Sequence, residues 1–403
     1  MTGLHGRTLV TVMCAAQVCN LIPHVVVPAI MAQHLMPLWN LSAAQAGLMA
    51  SAYAFGYMLA VPVLAALTDR FDARGILLAG SLVSGLATIA FGLFANGLIS
   101  ASLIWAIAGA GFGGAYMPGL KALTDRLPHG DTSRSVTLYT SSFSVGVGLS
   151  FLVSQLVADR YGWRAAFLVT GIAPLAMVAT CFLLVPLKPK PAQGHPLDFR
   201  PVIRNRNALG YILGYGAHCF ELYGMRTWIV SFWTFVAAHN ADNVVLGPVA
   251  VSVLITVLSL PASVLGNEAA LRFGRRRAIA TIMFLSAATA VAIGLSSTLS
   301  PVILLLLLFA YGFTVPGDSG ALTSGMSASA QAGQRGATMA LHSTVGFGLS
   351  ALGAWGTGVA LDAAGGPASA AGWLAAFSLL AAVALLGPLA LWLSKSGART
   401  APP

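Results

Sequence analysis

Apolar runs of about twenty residues follow one another along this chain, with barely a charged residue inside them. Such a run is long enough to cross the roughly 30 Å hydrocarbon core of a bilayer as a helix. A barrel strand would need only about ten residues of alternating polarity, so the run length selects helices. Runs bounded by charges or by Pro and Gly clusters number twelve, near residues 8–30, 42–67, 75–95, 98–120, 136–158, 165–187, 208–238, 247–270, 278–298, 301–325, 337–361 and 370–394. Of the 403 residues, 57% are hydrophobic and 8% charged; soluble domains carry roughly 25% charged residues. Surface-to-volume scaling leaves a soluble fold too little interior to hide that apolar area. Lipid is therefore the expected solvent. The N-terminal run exceeds a secretion-signal core and is interrupted by Gln17, Asn20 and His24, so it reads as a retained first helix.

Charge orients the helices. With an even number of spans both termini share a side, and 18 of the 21 Lys and Arg residues then fall on the side of the termini. Only Arg160 and Arg164 fall opposite, and Arg226 lies within the seventh run. Positive loops stay in the cytoplasm, so both termini are predicted to be cytoplasmic. This spread also accounts for the net charge of +10 without a nucleic-acid partner. Cys14, Cys19, Cys181 and Cys219 lie in apolar runs without metal-ligand spacing and read as packed thiols.

The chain repeats itself. SVGVGLS at 144–150 recurs as TVGFGLS at 344–350, and GWRAAF at 162–167 as GWLAAF at 372–377. Arg70-Phe71 recurs as Arg272-Phe273, and Pro118-Gly119 as Pro316-Gly317. The order is kept and the offsets stay between 198 and 210, which argues for duplicated six-helix units. The longest polar stretch, rich in Pro, Lys and Arg, follows the sixth run. The expected organisation is an N-terminal six-helix bundle over 1–187, a cytoplasmic linker over 188–207 and a C-terminal bundle over 208–403.

Over essentially its whole length the chain resembles the major facilitator superfamily of secondary transporters. That family carries, between its second and third helices, a Gly, three residues, Asp-Arg, one residue, Gly and two basic residues. Asp69, Arg70 and Arg74 fit this pattern; Ala65, Asp72 and Ala73 depart from it. The second copy keeps Arg272, Gly274, Arg275 and Arg276 but has Leu271 in place of the Asp. The resemblance implies an all-α membrane fold of twelve helices in two pseudo-symmetric bundles. It also implies a clamp at the cytoplasmic helix ends, carried here by Asp69, Arg70 and Arg74 and by Arg272 in the second copy. Anchoring of topology by these cations is the alternative. The fifth run lacks the Gly-Pro-x-x-Gly-Gly motif of many drug exporters, and Trp105 stands where they often carry an Arg. Both departures weigh against a multidrug exporter.

Polar groups inside the runs are few, and a charge at the bilayer centre costs about 2.5–3.5 kcal/mol on insertion scales. The seventh run holds His218, Glu221 and Arg226. His218 and Glu221 share a helical face; Arg226, five residues on, is turned away by roughly 140°. Glu221 beside His218 suits proton coupling and Arg226 suits an anionic group, with Gly224 between them as an expected bend. Pairing with neighbouring helices to close a gate is the structural alternative. Gln17, Asn20 and His24 form one polar stripe on the first run, where Pro23 allows a local break and which the duplication makes equivalent to the seventh. Tyr116 and Lys121 lie toward the cytoplasmic end of the fourth run, Asp318 toward that of the tenth, making Lys121–Asp318 a candidate gate pair. His342 is either a cavity group or packed. Trp228 faces either way, and Trp233 reads as part of an interfacial aromatic belt.

The expected function is alternating-access transport of a small solute across a bacterial-type inner membrane by a monomer, with coupling to protons. The excess of basic over acidic candidates favours a small organic or inorganic anion. Efflux of a hydrophobic or cationic compound is the rival reading. A membrane-embedded enzyme or a channel is more remote. No HExxH, Ser-His-Asp set, Cys/His cluster or nucleotide-binding loop is visible, so no catalytic residue, metal or cofactor is expected.

Overall fold

The computed structural model describes residues 4–127, 133–188, 198–240, 246–331 and 334–394. Among them the regular structure is entirely helical. Ten helices are long and apolar enough to cross a membrane, or eleven when a bent pair counts as one span. The bent pair is α1, Gly6–Leu21 followed by Val26–Trp39. Then come α2 (Ala43–Leu67), α3 (Ala73–Phe94), α4 (Leu98–Thr124), α5 (Arg134–Tyr161) and α6 (Trp163–Leu183). The remaining long helix, α7 (Arg206–His239), has 34 residues, enough to cross, but its polar groups lower its apolarity. It is followed by α8 (Pro248–Phe273), α9 (Arg275–Leu295), α10 (Pro301–Ser329), α11 (Arg335–Ala363) and α12 (Ala370–Leu393). The predicted linker lies partly outside the described residues, as do Lys190, Lys395 and Arg399; its later part forms a short helix, Arg200–Arg204.

Two helices differ from the sequence reading. The first span runs on to Trp39 and is bent by 48°. Pro23 removes one backbone donor from the ladder. Ser150 of α5 fills the break: its hydroxyl donates to the Ile22 carbonyl at 2.6 Å and accepts from the Val25 N–H at 3.1 Å. Helix α7, by contrast, continues through Gly224 without a break. A Cβ at Gly224 would collide with Leu380 and come within 2.9 Å of the Thr357 hydroxyl. Its missing side chain therefore serves close packing against α11 and α12.

Packing pairs recur across the chain. Helix α2 packs on α4, α3 on α6 and α1 on α5; later α8 packs on α10, α9 on α12 and α7 on α11. The two sets meet along α2–α11, α5–α8 and α1–α7. Side-chain contacts define two ends. At the distal end Trp39, Phe91 and Trp163 cluster, and Asp362 meets the start of α2. At the terminal end, nearest the N-terminus, Asp72, Arg126 and Leu187 meet, as do Arg276 and Asn207.

Candidate functional site

The break in α1 sets His24 among aromatic rings from both sets of helices. Its imidazole centroid lies 5.1 Å from Tyr53, 5.2 Å from Phe112 and 5.3 Å from Phe143. From the other side Tyr223 of α7 approaches to 6.4 Å. Tyr57 of α2 stacks on Phe347 of α11 at 3.7 Å, and Phe347 lies 5.9 Å from Tyr223. Tyr116 continues the layer, 6.0 Å from Phe112 and 5.3 Å from Phe143. Such edge and offset contacts suit rings whose faces are negative and edges positive.

Arg226 enters this layer from α7. Its guanidinium carbon sits 5.4 Å from the Tyr223 ring centroid. The residue is only 6% exposed. Among the described residues no carboxylate lies within ion-pair distance of it. A buried guanidinium stays charged and ordinarily has an anion beside it. On α1 several buried polar atoms are also without a hydrogen-bond partner: both amide atoms of Asn20, Nδ1 of His24 and the amide nitrogen of Gln17. Gln17 itself is turned toward α5, accepting from the Tyr139 hydroxyl at 2.9 Å.

His218 and Glu221 face the other way, among α9 and α10. The Ser286 hydroxyl donates to Glu221 Oε1 at 2.7 Å. His218 Nδ1 lies 2.6 Å from Asp318 Oδ1, both residues being almost fully buried. Asp318 ends a turn of 3-10 helix, Val315–Asp318, that interrupts α10 at the Pro316-Gly317 repeat. The expected gate pair is corrected on this point. Lys121 bonds its own-helix neighbour Asp125 at 3.2 Å, while Asp318 is held inside by His218. His342, on α11, stacks on Tyr215 at 3.8 Å and is buried.

The two tryptophans both use their indole N–H groups on backbone carbonyls. Trp228 donates its indole N–H to the Ala354 carbonyl at 2.9 Å and wedges between α2 and α11. Trp233, expected in an interfacial belt, is 1% exposed and donates to the Leu246 carbonyl at 2.6 Å.

At the terminal end the ion pair falls on residues that the motif reading passed over. Asp72, there a departure from the pattern, caps α3 by accepting from the Arg74 N–H at 3.0 Å. It takes one guanidinium nitrogen of Arg126 on both oxygens at 2.9 Å and the Leu187 N–H at 2.8 Å. Burial alone would raise the Asp72 carboxyl, but these hydrogen bonds and the Arg126 charge outweigh it and hold the group below its ordinary value. Arg74 donates to the Leu184 carbonyl at 2.8 Å, and Arg276, its counterpart, donates to the Leu391 carbonyl. Each thereby ties the start of one helix to the end of another in the same set. The side chains of Asp69 and Arg70 make no hydrogen bond or ion pair among the described residues, and Arg272 bonds Glu268 on the surface at 2.8 Å. The signal for Asp72 was present: an acid just before a helix with a backbone donor two residues on.

The family model for the Major Facilitator Superfamily matches residues 13–354. A gallate transporter of Pseudomonas putida is 27% identical over 163 residues, covering 40% of this chain and 36% of the relative. A gentisate transporter of Corynebacterium glutamicum is 25% identical over 206 residues, covering 47% and 46%. The match thus spans less than half the length of either relative. Among solved structures, the POT family transporter PepTSo superposes with a TM-score of 0.75 at 14% identity, covering 97% of this chain and 98% of the other. At that identity the likeness speaks for the fold alone.

Proposed function

The chain belongs to the Major Facilitator Superfamily, and from that premise we propose that it carries a small organic anion, an aromatic carboxylate, across the membrane coupled to the movement of protons. The observation that carries this reading is Arg226: a buried guanidinium with no carboxylate partner among the described residues, set in a layer of rings. A carboxylate would form the bidentate contact that the guanidinium fork favours. A planar ring would fit beside Tyr223, Tyr57, Phe347 and His24. The relatives named for gallate and gentisate, both aromatic carboxylates, support the class. An unpaired buried cation disfavours efflux of a cationic compound.

Coupling is assigned to His218, Glu221 and Asp318, two acids and a base gathered in the helices behind the ring layer. Intramembrane groups of this kind mark proton relays in transporters. Twelve spans follow if α7 crosses beside the eleven others, with bundles 1–187 and 208–403 rocking about the ring layer. The charged terminal end is then cytoplasmic and the distal end outer, as in a bacterial inner membrane. The test is uptake of labelled benzoate into proteoliposomes under an imposed proton gradient. Uptake that responds to the gradient and is lost in Arg226→Gln supports the reading; gradient-insensitive uptake, or uptake undiminished in that variant, overturns it.

A further inference from the structure

The N-terminus of α2 is capped from another part of the chain. A helix leaves its first four N–H groups without intrahelical partners, and its dipole concentrates positive charge there. In α2 the Gln45 N–H bonds the Ser42 hydroxyl at 3.3 Å, and the Gln45 side chain returns to the Ser42 N–H at 3.0 Å, a local capping box. The next two donors are met by Asp362, at the far end of α11: the Ala43 N–H reaches Oδ1 at 2.9 Å and the Ala44 N–H reaches Oδ2 at 2.7 Å.

This contact closes a longer seam. A Cβ on Gly358, one turn before Asp362, would collide with the Ala43 carbonyl, and one on Gly47 would come within 2.7 Å of the Ala354 carbonyl. The backbones of α2 and α11 therefore touch from the distal end inward. Gln155 of α5 and Ser252 of α8 join by a hydrogen bond of 3.3 Å on the second seam. Among the described residues, Asp362 is the one ionisable side chain that hydrogen-bonds across the α2–α11 seam, and it does so at the start of α2.

We infer that Asp362 is the latch of the distal gate: its carboxylate, bonded to the first two N–H groups of α2, holds the two sets of helices together at this end. The state shown is the latched one. Opening the distal end during transport requires those two charge-assisted bonds to break and the α2 donors to take water. The latch thus sets how often the distal side opens. The inference goes beyond substrate and coupling, and it rests on the two sets moving against each other.

The experiment measures distances by electron spin resonance on the full chain in lipid nanodiscs, with Cys14, Cys19, Cys181 and Cys219 replaced by Ser. One label pair, Asn96→Cys with Leu299→Cys, reports the distal end. The other, Phe71→Cys with Phe273→Cys, reports the terminal end at exposed positions. Asp362→Asn and Asp362→Ala are expected to lengthen the distal distances and shorten the terminal ones, shifting the closed-to-open ratio by about tenfold. Gln45→Ala weakens the local cap without touching Asp362 and is expected to leave both distributions unchanged. Unshifted distances in both Asp362 variants, or an equal shift in Gln45→Ala, would overturn the latch.

Discussion

Replacing Arg226 by Gln separates a ligand-binding arginine from a structural one by the sign of two effects. The side chain is 6% exposed, its ring partner is Tyr223, and no carboxylate among the described residues neutralises it. A charge so placed costs desolvation that no carboxylate among the described residues offsets, so removing it should raise the melting temperature of the ligand-free protein. Binding should move the opposite way. Hydrogen bonds to a charged group contribute about 1.5–3 kcal/mol, which is roughly a 10- to 150-fold loss of affinity. The assay is a thermal-shift titration with benzoate and with benzamide, its neutral isostere. The parent should be stabilised by benzoate only, and Arg226→Gln by neither while melting higher on its own. A variant that melts lower and still answers to benzoate would refute the argument, because Arg226 would then be tying helices together.

Glu221→Gln should abolish benzoate accumulation driven by a proton gradient while leaving counterflow exchange of labelled for unlabelled benzoate; loss of both would place Glu221 in binding instead. Lys121→Asp combined with Asp318→Lys should recover no more transport than either single change, since each residue bonds elsewhere. Asp72→Asn should destabilise the protein by about 2–3 kcal/mol at neutral pH, because it leaves the Arg126 charge, whose side chain is 4% exposed, without its partner. The sign with pH follows from a carboxyl held below its ordinary value. Its stabilisation is complete above the unfolded value, near 3.9, and is lost as pH falls toward the depressed folded value. Melting curves below pH 4 should therefore drop more steeply for the parent than for Asp72→Asn; equal slopes would show that Asp72 is not so held.

The helical architecture was legible because it rests on local properties. Run length and the near absence of charge determine that helices form in lipid, whatever their partners. The break in α1 was half legible. Pro23 marked it, but the hydroxyl that completes the broken ladder comes from Ser150, more than a hundred residues away. Gly224 misled for the same reason: flexibility is what a lone Gly signals, whereas close approach to Leu380 and the α11 backbone is what it provides. The pairing of Asp318 depended on which neighbour reached it first. Position along α10 suggested the terminal end, but the 3-10 turn carries the carboxylate inward to His218. Asp72 was lost to motif matching, because a pattern compares residue types and a cap depends on backbone donors.

The placement on α7 constrains how coupling can work. Glu221 and Arg226 lie on different faces of one helix that does not break between them. The carboxylate faces Ser286 on α9 and the guanidinium faces the ring layer, so no proton passes directly from one to a ligand on the other. Coupling on this plan is mechanical. On that proposal a change of charge among His218, Glu221 and Asp318 would alter how α7 seats against α9 and α10, and an unbroken helix would transmit that change to Arg226 as a rigid body. Trp228, two residues beyond Arg226, would carry the motion further, since its indole is bonded to Ala354 on the α11 seam where Asp362 also bonds α2. Ligand, proton and distal gate would then be joined through a single helix, which accounts for an unbroken helix through Gly224 between the two charged groups.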